Sequence, residues 1–196
     1  MMNRRMLLAS IFSTWTVPAW SATWADRLVA AAMTQIGVTV TYDPSYVKLD
    51  YPGGDVAMDR GVCTDVIVRA YRAGLGIDLQ KLVHEDMRTH FSGYPKTWGL
   101  TRPDSNIDHR RVPNLQTFFR RQGAALPVSG NAADYVAGDV VSMMLPGNLP
   151  HIAIVGNPLN GTQARPMLIH NIGAGAQLQD VLFAYPVTGH YRFRGA

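Results

Sequence analysis

The spacing of apolar residues changes part-way along the chain, and that change limits the possible architecture more than any other feature. Between residues 24 and 36, Trp24, Leu28, Ala31, Ala32 and Ile36 share one helical face, and Gly37 closes the segment. Val62, Val66, Ile67, Ala70 and Tyr71 repeat at the same period and predict a helix from Cys63 to about Ala73, with Gly74 as its stop. A third helix is expected over Leu79 to His90, and a fourth from Pro113, a residue suited to a first helical turn, to Gly123. Residues 42–60 and 92–111 are rich in Gly, Pro and Asp and read as loops. Beyond them the period shortens. Asp139–Leu145, His151–Val155, Pro166–His170 and Val187–Phe193 are short apolar or aromatic runs separated by Gly, Pro and Asn. Helices first and strands later predict an α+β fold, with N-terminal helices packed on an antiparallel β-sheet.

The first 22 residues follow a different logic. Arg4 and Arg5 precede an apolar run from Met6 to Val17, and Pro18-Ala19-Trp20-Ser21-Ala22 offers small residues at cleavage positions. This is the pattern of a secretory signal peptide over residues 1–21, followed by one domain over 22–196. The expected location is the periplasm, with the extracellular space as the alternative. No run approaches the roughly 20 apolar residues of a membrane-spanning helix, so stable membrane insertion is not expected. The net charge is +4, and Arg4 and Arg5 supply two of those charges. No basic cluster is interleaved with aromatics, which argues against a nucleic-acid partner. Nothing in the sequence fixes an oligomeric state.

Cys63 is the only cysteine. In an oxidising compartment structural cysteines usually pair, so a lone thiol marks either a small buried hydrophobe or a reactive group. Its position favours the reactive reading. Asp59-Arg60-Gly61-Val62-Cys63 leads from a polar loop into a helix, placing Cys63 in the first turn. Unpaired amide N–H groups there favour a thiolate and can stabilise an oxyanion. Such a nucleophile needs an imidazole held by a third polar group. His151 opens one strand and His170 ends the next, so a hairpin would bring the two to the same end of the sheet. His84 and His90 fall on a helix and His190 inside the last strand, all structural settings. His109 lies in a polar loop.

These residues resemble the NlpC-type cell-wall cysteine peptidases, which have a papain-like fold. Val62-Cys63-Thr64-Asp65 stands at the family's cysteine motif, Gly138-Asp139-Val140-Val141 at its Gly-Asp entry to a strand, and His151-Ile152-Ala153-Ile154 at its histidine strand. His170 stands at its third catalytic position, and Tyr42 matches a tyrosine near the nucleophile. More closely, Gly61–Asp65, Asn106–Arg111 and His170-Asn171-Ile172-Gly173 resemble a divergent secreted branch, the family of domain of unknown function 1287. The chain departs from the simplest relatives in having Asp65 for a glycine and a longer segment between Gly74 and Leu126.

The resemblance implies hydrolysis of amide bonds in peptidoglycan stem peptides or cross-links, with no cofactor. Cys63 would attack the carbonyl, His151 would carry the proton and His170 would orient His151. Tyr42, Asp65, His109, Arg110 and Asn171 would contact substrate. Arginine suits carboxylate recognition, and Arg110 or its neighbours Asp108, His109 and Arg111 could grip a stem-peptide carboxylate. Three other classes compete. Cys63, His151 and His170 could ligate zinc, although no short-spaced ligand pair supports it. The domain could bind peptidoglycan without cleaving it. It could also be a toxin or effector amidase that uses the same residues on another amide.

Overall fold

The computed structural model describes residues 22–157 and 165–195; the expected signal peptide and most of the turn between the two histidine strands lie outside them. The elements follow the expected order. Helix α1 (Trp24–Met33) opens on Thr23, whose hydroxyl accepts from the Asp26 N–H while Asp26 accepts from the Thr23 N–H. Two-residue strands β1 (Thr41–Tyr42) and β2 (Arg60–Gly61) pair in parallel across the first loop. Helix α2 (Cys63–Leu75), α3 (Leu79–His90) and α4 (Val112–Arg121) follow, then β3 (Ala125–Leu126), β4 (Val140–Leu145), β5 (Leu149–Val155), β6 (Leu168–Asn171), β7 (Ala176–Gln179) and β8 (Val187–Tyr191).

Strands β3 to β8 form an antiparallel six-stranded sheet in the order β3-β8-β4-β5-β6-β7. Alternation divides each strand between two faces. Val140, Ile152, Ile154 and Ile169 join Leu28, Val66, Ile67, Tyr71, Phe118 and Phe119 in the core between helices and sheet. Val141, Met143, Ala153, Val155 and Leu168 face the other way, under Tyr135 and Leu182.

Several boundaries differ from expectation for identifiable reasons. Gly74 does not stop α2. A Cβ there would come within 2.6 Å of the Arg27 carbonyl, so this glycine lets α1 and α2 approach closely. The stop is Gly76, in the left-handed region at φ 68°. Helix α1 ends at Met33, three residues early, where the chain turns towards Gly37. The loop over 42–60 is irregular apart from β1 and β2, and a buried cation of α2 holds it. Arg69 pairs with Asp55 at 2.8 Å and donates to the Val56 and Arg60 carbonyls at 3.1 and 3.0 Å. Among the described residues no helix is long and apolar enough to cross a membrane.

Candidate active site

Cys63 is the first residue of α2, and the chain just before it is tied down from three directions. Asp65, two residues into the helix, accepts the Val62 N–H at 2.7 Å. The same carboxylate forms a buried, two-pronged pair with Arg110, Nε at 3.0 Å and Nη2 at 3.1 Å. Arg110 in turn donates to the Ser45 and Asp43 carbonyls at 2.8 and 3.0 Å, fastening the first loop to the start of α2. From the sheet, the Asn171 side-chain amide donates to the Gly61 carbonyl at 2.9 Å.

The two expected histidines meet across β5 and β6. His151 Nε2 lies 2.8 Å from His170 Nδ1, and His170 Nε2 lies 2.9 Å from Gln179 Oε1 on β7. Both rings are buried, which holds both below the usual histidine range; His151 falls to about 3, helped by the neighbouring His170, and Gln179 partly offsets the effect on His170. Two neutral rings admit one proton arrangement here. The carboxamide oxygen of Gln179 only accepts, so His170 Nε2 carries its proton. His170 Nδ1 then accepts from His151 Nε2–H, leaving His151 Nδ1 as a free lone pair. Such a ring has its tautomer already set, although burial makes it a weak base.

The thiol does not sit in the state expected from its helix position. Burial pushes Cys63 up to about 12; the Ile152 N–H opposes this, Asp65 adds to it, and the Thr64 and Cys63 amides oppose it. Desolvation therefore outweighs the helix terminus, and the resting group is a thiol. The Ile152 amide that acts on the sulfur belongs to the residue after His151. Among the described residues no hydrogen bond joins Cys63 to the His151 ring, and no three metal-binding side chains cluster.

Cys63 opens onto a cleft of about 380 Å³ lined by Tyr42, Tyr46, Trp98, Arg111 and Pro150, among others. Tyr42 lies here as expected, its hydroxyl raised to about 12 by burial and by the nearby Cys63 and Asp65. Of the other expected substrate contacts, Arg110 also lines the cleft, whereas His109, Asp65 and Asn171 do not. His109 is 2 % exposed, away from the cleft, and burial lowers it to about 4. The loop that seemed polar is in fact a short 3-10 turn, Asp108–Arg110, buried against α3 and α4. Asp65 and Arg110 are engaged with each other, and Asn171 with the backbone.

A family profile described as "Domain of unknown function (DUF1287)" matches residues 29–193, most of the described chain. The chain belongs to the DUF1287 family. "Uncharacterized protein YijF" of Escherichia coli (strain K12) is 57 % identical over 164 residues, covering 83 % of this chain and 78 % of the relative. A solved structure, "NlpC1 from Trichomonas vaginalis", aligns with 93 % of this chain at 16 % identity and a TM-score of 0.48; the chain spans about half of that structure, 48 %.

Within this DUF1287 domain, two groups at the site were not foreseen. Gln179 was missed because β7 was not recognised, although Ala176-Gln177-Leu178-Gln179 alternates with period two and its register sets Leu168 opposite Gln179. Trp98 came from a segment read as featureless loop. Its partner Arg111 lay within the basic run but could not be told from Arg110 without coordinates.

Proposed function

We propose that the chain is an exported cysteine amidase or peptidase acting on peptidoglycan stem peptides or cross-links. The observation that carries this reading is the hydrogen-bonded series His151–His170–Gln179, which leaves one unprotonated ring nitrogen on the strand whose next amide faces the Cys63 sulfur. In this scheme His151 Nδ1 takes the thiol proton as the sulfur attacks the amide carbonyl. The Cys63 N–H donates to the oxyanion. Collapse of the tetrahedral adduct breaks the C–N bond, the His151 proton leaves with the amine, and a thioester remains. Water activated by His151 then hydrolyses the thioester and restores the thiol. The basic, apolar and small-residue pattern of the first 22 residues supports export to the periplasm.

A second reading, a peptidoglycan-binding module without chemistry, is favoured by one observation: Cys63 is 4 % exposed and not hydrogen-bonded to His151. Incubating the purified protein and its Cys63→Ala variant with peptidoglycan, and weighing released fragments by mass spectrometry, separates the two. Cleavage by the wild type alone is expected, and fragment masses name the bond. Binding without cleavage by either protein would replace the amidase with the module.

A further inference from the structure

Two arginines line the cleft beside Cys63, and the fold uses them differently. Arg110 is consumed by the Asp65 carboxylate and two backbone carbonyls. Arg111 has no such partner. Its guanidinium carbon lies 4.3 Å from the centroid of the Trp98 ring, its Nη1 is shielded from solvent without a hydrogen-bond partner, and among the described residues no carboxylate pairs with it. Asp108 and Asp104 act on it from a distance without a hydrogen bond; both Asp104 oxygens are engaged, whereas Asp108 Oδ1 is itself buried without a partner. Asp108 accepts the Asp104 N–H at 2.7 Å and contacts His84 at 3.1 Å, while Asp104 accepts from the Tyr46 hydroxyl and Asn106. No acidic side chain lines the cleft itself.

The shielded Nη1 is out of a ligand's reach, but the remaining guanidinium N–H groups, held over Trp98 at a cleft with no acidic lining, gain a charge-assisted acceptor when a ligand brings a carboxylate. The Trp98 ring, 4.3 Å from the guanidinium carbon, holds that end of the side chain in place before the ligand arrives. We propose that Arg111, held on Trp98, is a carboxylate-binding subsite of this cleft, so that its ligand is a peptide carrying a free carboxylate close to the bond presented to Cys63. The carboxylate preference stands on Arg111 alone; calling the ligand a substrate rests on the amidase reading above.

The test uses the intact Cys63→Ala chain and two probes: a synthetic peptidoglycan stem tripeptide with free carboxyl groups, and the same tripeptide with every carboxyl group converted to carboxamide. Titration calorimetry is expected to show the acid binding at least about tenfold more tightly than the amide, in line with a charge-assisted two-pronged contact. Adding Arg111→Gln should abolish the preference, and Arg111→Lys, which keeps the charge but not the fork, should keep only part of it. Unchanged melting temperatures establish that the variants fold; should Arg111→Gln fail to fold, Arg111→Lys carries the comparison. Equal binding of the two probes, no binding of either, or a preference that survives the loss of Arg111 would overturn the subsite. Cleavage of the acid tripeptide by wild type is scored separately. A carboxylate preference without cleavage sinks the amidase and leaves the subsite standing.

Discussion

Replacing Asp65 with alanine tests how much of the site rests on one buried ion pair. The Asp65 and Arg110 side chains are 3 % and 2 % exposed, so the variant strands a guanidinium that water barely reaches. Removing one partner of a buried pair costs about 3–5 kcal/mol. The Val62 N–H also loses its acceptor, a helix-capping loss of about 1 kcal/mol. The expected total is about 4–6 kcal/mol, measured as a shift of the urea midpoint at constant slope. For a chain of this size it corresponds to a fall in Tm of roughly 8–24 °C. The double variant Asp65→Leu with Arg110→Met removes both charges and should recover most of the loss, since an apolar pair of similar volume is often tolerated. Because Asp65 is one of the groups that raise the Cys63 thiol, the single variant should also titrate at lower pH, read from thiolate absorbance. A single-variant loss under about 1 kcal/mol would refute the reasoning, for it would mean that Arg110 is hydrated and the pair behaves like a surface one.

Gly74→Ala should cost about 1–3 kcal/mol in the same denaturation assay, because its Cβ would sit 2.6 Å from the Arg27 carbonyl and force α1 from α2; an unchanged midpoint would show that the helices part freely. Stability should also depend on acid. His151, near 3 in the folded state, and His109, near 4, are ordinary histidines near 6.5 when unfolded. Below pH 6.5 the unfolded chain therefore takes up protons that the folded chain refuses, and stability falls as pH drops from about 6.5 towards 4. Each group contributes up to about 1.4 kcal/mol per pH unit, and His151→Gln should flatten part of that slope in melting curves. Gln179→Leu keeps the volume of the side chain but frees His170 Nε2, so the tautomer of the pair is no longer set. On the amidase reading kcat should fall about tenfold or more with KM little changed, within the range that proton-transfer groups contribute; an undiminished kcat would remove Gln179 from the mechanism.

The architecture was legible in the sequence because it is written in periodicity. The helical spacing of Val62, Val66, Ile67 and Tyr71 and the short runs after Asp139 each settled an element before any coordinates, since burial on one face or two leaves a regular trace. The meeting of His151 and His170 was legible for a similar reason: antiparallel neighbours return a strand end to a strand start. What could not be read was how polar groups pair at a distance. Asp65 and Arg110 stand 45 residues apart, and nothing local says that they face each other and not a ligand. The burial of His109 was hidden for the same reason, because its loop composition resembles surface. The thiol was misjudged in its ionisation, not its place: the helix terminus was visible in the sequence, whereas the desolvation that outweighs it depends on strands a hundred residues away.

The strand order carries a consequence for how the molecule comes into being. Strand β8, the last element, lies between β3 and β4, not at an edge. A chain emerging from its N-terminus can form the helices and the β4–β5 and β6–β7 hairpins early, because their partners are near in sequence. It cannot join β3 to the rest until residue 191 is available, since β8 alone bridges them. Closing such distant pairings is slow. Assembly thus waits for β8, and a chain truncated before Val187 should fail as a whole, not merely fray.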